Sequence, residues 1–113
     1  MKINIQSLSF HASDKLIGYA EDKISKLSQF SDRVIGAQVI LRVDRSGTRD
    51  NKVCEVILEI PGKDLFAGRQ CHSFEEAILK TSEALKQQLL RWKRKYQKAS
   101  FGRDAINTSR GLT

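Results

Sequence analysis

Residues 73–98, SFEEAILKTSEALKQQLLRWKRKYQK, decide the fold. Phe74, Ile78, Thr81, Leu85, Leu89, Trp92 and Tyr96 recur at steps of four and three. At 100° per residue they fall within a sector of about 80°. The segment therefore reads as one long helix over about 74–98 with a single apolar stripe. Ser73 stands where an N-cap belongs, and Glu76, three residues on, completes a capping box. Such a stripe must cover something, and the residues before it supply a sheet.

Residues 53–60 alternate, with Cys54, Val56, Leu58 and Ile60 on one side and Glu55 and Glu59 on the other. They read as a strand. Pro61 and Gly62 make a tight turn into a shorter, weaker strand over 64–71. Before them, 34–44 alternates as well, and the polar segment 45–52 with Gly47 joins the two as a hairpin loop. At the N-terminus, 2–8 reads as a first strand through Ile3 and Ile5. Ser13 is a candidate N-cap, and Leu16, Ile17, Ala20, Ile24, Leu27 and Phe30 give a first helix over about 14–30. Residues 99–113 have no periodicity and are expected to be a flexible C-terminal tail. The order is β-α-β-β-β-α. It predicts an α+β two-layer sandwich, a four-stranded mixed sheet with two helices on one face. The crossover through the first helix makes its strands parallel, and the hairpins make the others antiparallel.

The chain has 113 residues, of which 40% are apolar and 29% charged. That composition suits one folded domain, read here over 1–98. No apolar run approaches the ~20 residues of a membrane span. The opening MKINIQSL lacks the unbroken apolar core of a secretion signal, so a cytoplasmic protein is expected. Two Cys and two His offer no close-spaced ligand pair, so neither a metal nor a cofactor is expected. Cys54 reads as a small buried apolar residue. Glu55 and Glu59 share a strand face with no His or Cys arranged beside them, so no catalytic residue is assigned and no small-molecule substrate is expected.

Net charge is +7, and Lys86, Arg91, Lys93, Arg94, Lys95 and Lys98 account for all but one unit of it, with no acid among them. One or two cations satisfy the helix dipole at a C-terminus. Six repel one another. A membrane-surface helix needs its apolar face for lipid, whereas here that face covers the sheet. Trp92 and Tyr96 lie on the apolar stripe and read as core rather than as stacking platforms. A polyanion is the partner that fits. Lys23 and Lys26 of the first helix, diluted by Glu21 and Asp22, join the same patch if the helices lie side by side. RNA in A-form or compact folds suits a patch that contacts phosphates and 2′-hydroxyls without reading sequence.

The order of elements, the stretch YAEDKISKLSQFSDRV at 19–34, the turn IPGKDLFA at 60–67 and ALKQQLLRWKRK at 84–95 resemble the ribosome hibernation-promoting factor family, also called the ribosome-associated inhibitor family. The resemblance covers about residues 1–98. It implies binding to the small ribosomal subunit and its ribosomal RNA, in the channel of mRNA and decoding-site tRNAs, with translation blocked in stationary phase or stress. It carries Lys23, Lys26, Lys86, Arg91, Lys93 and Lys95 over as RNA contacts, and the charge pattern adds Arg94 and Lys98. The length resembles the short members, which lack a dimerising C-terminal domain, and a monomer off the ribosome is expected. Gln87 stands where a basic residue is common in the family, and Glu75 where many members have an aromatic one. Two other functions fit the same residues. One is a general double-stranded-RNA-binding domain, whose α-β-β-β-α core is similar. The other is a modulator of a protein partner such as a transcription factor.

Overall fold

The computed structural model describes residues 1–104 apart from Ser46 and Thr48, and side chains as far as Lys95. Its elements are β1 (Lys2–Leu8), α1 (Asp14–Ser25), a 3₁₀ helix (Lys26–Phe30), β2 (Gly36–Val43), β3 (Lys52–Ile60), β4 (Lys63–Cys71) and α2 (Phe74–Asp104). The strands form one sheet in the order β1-β2-β3-β4. β1 runs parallel to β2, with Ile5 opposite Val39. β2 and β3 are antiparallel, with Val39 opposite Val56, and so are β3 and β4, with Val56 opposite Ala67.

That register puts Ile3 and Ile5, Ala37, Val39 and Leu41, Cys54, Val56 and Leu58, and Leu65 and Ala67 on one face. Leu16, Ala20, Ile24 and Leu27 from the first helical segment and Ile78, Leu85 and Leu89 from α2 close over it in one core. The sandwich expected from the pattern is the one observed. Thr81 is the polar member of the α2 stripe, and it is wholly buried. Its Oγ1 donates to the Cys54 carbonyl at 3.3 Å. The buried hydroxyl is thereby satisfied. Cys54 is sealed beneath it, and burial pushes its thiol up to about 12. That keeps it an unreactive apolar filler.

Two glycines are set by geometry. A Cβ on Gly36 would lie 2.6 Å from the Lys2 carbonyl, so only glycine lets β1 approach β2 there. Gly62 has φ +82 in the β3–β4 turn, a conformation that side chains resist.

The helix boundaries differ from expectation in two places. The first helix is α-helical only to Ser25, then tightens into a 3₁₀ turn. Ser25 Oγ donates to the Asp22 carbonyl at 3.1 Å and Ser28 Oγ to the Ser25 carbonyl at 2.8 Å, three residues back in each case. Serine hydroxyls compete in this way with the backbone ladder. The apolar spacing of Leu27 and Phe30 survives the change, since Leu27 is buried and Phe30 packs on the core. The second difference lies at the other end. α2 continues to Asp104, six residues beyond the expected stop at Lys98. The rest of the expected tail, 105–113, lies outside the described residues.

Candidate nucleic-acid interface

α2 starts where the sequence places it. Ser73 Oγ accepts from the Glu76 N–H at 3.1 Å. The Glu76 carboxylate reaches outward, to His72 Nδ1 at 2.7 Å and Lys80 Nζ at 3.1 Å. The hydrogen bond from Lys80 is the main reason that the Glu76 carboxyl is held below its ordinary range. Beyond Lys80 the only acid on the helix before Asp104 is Glu83.

The cations of α2 divide into two rows, one on each flank. Lys86 and Lys93 face α1 and the 3₁₀ turn, where Phe30 receives both. Lys86 Nζ lies 4.8 Å from the centre of the Phe30 ring. That is within reach of a cation–π attraction. Lys93 is half-buried, and its Nζ donates to the Phe30 carbonyl at 3.1 Å. Among the eight sequence-predicted residues, Lys93 therefore has a structural role as well. It ties the middle of the C-terminal half of α2 to the end of the 3₁₀ segment.

Lys23 and Lys26 come to the same flank. With Lys86 they line a groove of about 230 Å³ between the helices, floored by Leu27, Phe30 and Leu79 and edged by Gln29, Ser82 and Glu83. Lys23 Nζ lies 5.3 Å from the centre of the Tyr19 ring. Asp22 shares its carboxylate with Lys26 at 3.4 Å and Lys23 at 3.9 Å. These are exposed pairs worth at most about 1 kcal/mol, so a phosphate can replace Asp22 at little cost.

Arg91 and Lys95 take the other flank, beside β4. There they line a second small cavity with Lys63, Leu65, Gln88 and Trp92. Gln88 Nε2 donates to the Phe66 carbonyl at 2.8 Å, which fixes the helix against the sheet edge. Trp92 packs on the core, as its place on the stripe implies. Further up the helix, Arg69 of β4 lies with Lys80 and Gln87 of α2 in a cavity that shares Glu83 and Lys86 with the groove between the helices. Arg94 is exposed on the outer surface of α2. The Lys98 and Tyr96 side chains lie outside the described residues.

The structure thus brings Lys23, Lys26 and Lys86 together and sets Arg91 and Lys95 apart from them across the helix. Lys63 and Arg69 were missed in the sequence. Both fall within strand alternation on the helix-facing side, and the signal available was their parity with Leu65 and Ala67. Among the described residues no three His, Cys, Asp or Glu side chains gather as a metal site. No described helix is long and apolar enough to cross a membrane.

Comparison with known proteins agrees with this architecture. The chain is 30% identical over 95 residues to a ribosome hibernation promoting factor of Azotobacter vinelandii, a match that covers 84% of this chain and 85% of the relative. It is 37% identical over 82 residues to a ribosome hibernation promotion factor of Deinococcus radiodurans, covering 71% of this chain but only 42% of that longer protein. The Protein Y N-terminal domain of Thermus thermophilus has the same fold, with a TM-score of 0.71 at 22% identity over 81% of this chain and 99% of the other. A ribosomal subunit interface protein of Coxiella burnetii gives 0.71 at 18% identity, over 83% and 99%. Residues 3–97 match the family model described as Sigma 54 modulation protein / S30EA ribosomal protein, and the protein belongs to that family.

Proposed function

We propose that this protein is a ribosome hibernation factor that acts by occupancy. It binds the small ribosomal subunit in the channel used by mRNA and the decoding-site tRNAs, and its bulk excludes them. The observation that carries this reading is the excess of positive charge on both flanks of α2, whose residues 86–98 contain six cations and no acid. Lys86 and Lys93 lie on one side with Lys23 of α1 and Lys26 of the 3₁₀ turn, and Arg91 and Lys95 lie on the other with Lys63. Ribosomal RNA offers phosphates on more than one side of such a ridge, and lysine and arginine contacts to phosphate give affinity without base readout. Arg94 adds an exposed cation on the outer surface of α2, and Lys98 joins the set from the charge pattern of the sequence alone. The relatives named as hibernation factors support the assignment.

The mechanism needs no catalytic group. Phosphate contacts position the domain, and the rigid sandwich fills the space. The protein would act in the cytoplasm, as a monomer until it meets a ribosome. Cell-free translation tests this directly. Protein added in stoichiometric amount to ribosomes should stop peptide synthesis when added before mRNA and have less effect on ribosomes already loaded. Undiminished synthesis on empty ribosomes would contradict it.

A further inference from the structure

We propose that the groove between α1 and α2 seats the base of a single unpaired nucleotide of an RNA strand. The inference rests on reading the helical layer as an RNA surface, and it adds a site that phosphate contacts alone do not require. The groove has an apolar floor and a cationic rim. Leu27 is buried, the Phe30 ring is half-buried, and Leu79 is 39% exposed. One exposed leucine needs no explanation. Leu79 is different because it lines one groove with the Phe30 ring and three lysines, Lys23, Lys26 and Lys86.

Size and charge select the occupant. The groove holds about 230 Å³. A site for a drug-sized ligand starts at roughly 300 Å³, so this smaller one takes a single flat ring system. The lysines call for an anion attached to that ring, and a nucleotide carries both. Lys86 now sits over the Phe30 ring at 4.8 Å. Its ammonium can turn to a phosphate while its methylene stem stays along the base. Glu83 at the rim is the one carboxylate among the lining residues. It repels an acidic peptide but accepts a hydrogen bond from a base amino group, as acids do from the cytosine N4 amine. A paired base cannot enter, so the site is specific for a looped or single strand.

Fluorescence anisotropy at low salt with two labelled probes tests this. One is pentacytidylate; the other is a ribose-phosphate pentamer of equal charge without bases. The native protein should bind pentacytidylate about tenfold more tightly, as expected for one seated base. Leu79→Ser should lose most of that ratio while still binding both probes and keeping its helical circular dichroism. Lys23→Ala should weaken both probes alike. Equal affinity of the native protein for the two probes, or no binding to either, overturns the base site. The ribosome reading has a separate readout. Sedimentation with ribosomes but no base preference removes only this site. A base preference without sedimentation keeps the site and removes the ribosome.

Discussion

The sheet and the helical layer each present a broad surface to solvent, and they handle charge differently. On the open face of the sheet, polar groups meet partners within the sheet. Arg42 pairs with Glu55 at 3.4 Å, Asn4 donates to Gln38 at 3.1 Å, and Gln70 donates to Asp44 at 2.9 Å. On the helical layer such pairing falls at the end of α1, Asp22 with Lys23 and Lys26, and in the first two turns of α2, Glu76 with Lys80. Residues 86–98 themselves contain no acid. What holds Lys86 and Lys93 instead is the ring and the carbonyl of Phe30. A face that satisfies its own charges has little to offer a polyanion. A face that leaves them uncompensated costs some self-repulsion in the free protein and regains it on binding.

That contrast breaks most completely if the uncompensated face is reversed. Replacing Arg91, Arg94 and Lys95 together by Glu should abolish pelleting with ribosomes at physiological ionic strength. The helical circular dichroism should stay, because none of the three is buried and Lys93 keeps its tie to Phe30. Next in size is a single cation. Lys86→Ala should lower the slope of log affinity against log salt by about one unit, the signature of one lost phosphate contact, measured by filter binding to small subunits. A smaller effect of opposite sign should come from Asp22→Asn. It frees Lys23 and Lys26 from an exposed pair worth up to about 1 kcal/mol, so ribosome affinity should rise a few-fold. The smallest effect belongs to the other face. Arg42→Gln with Glu55→Gln should leave ribosome affinity unchanged and alter unfolding free energy by less than about 1 kcal/mol in urea titration.

The same contrast explains what could be read in the sequence. The stripe from Phe74 to Trp92, the Ser13 and Ser73 caps and the strand alternation are local periodicities, and each marks an element that formed. The 3₁₀ turn at Lys26–Phe30 was hidden because its apolar spacing suits either helix type, and hydroxyl bonding by Ser25 and Ser28 decided between them. The two rows of α2 cations are visible on a helical wheel. What lies beside each row is not. Lys93 meets the Phe30 carbonyl across 63 residues of sequence, and Lys63 reaches Arg91 and Lys95 only because β4 runs under α2. In the sequence Phe30 reads as one more core position, yet its ring and carbonyl organise the groove flank.

Occupancy of the decoding channel by this ridge, as proposed, can be separated from binding elsewhere on the subunit. Sucrose-gradient sedimentation of the protein with purified small subunits, with and without saturating mRNA and tRNA, tests it most directly. Channel occupancy predicts co-migration with the subunit that is lost when mRNA and tRNA fill the channel. Co-migration undisturbed by mRNA and tRNA would place the protein elsewhere on the subunit and contradict the claim.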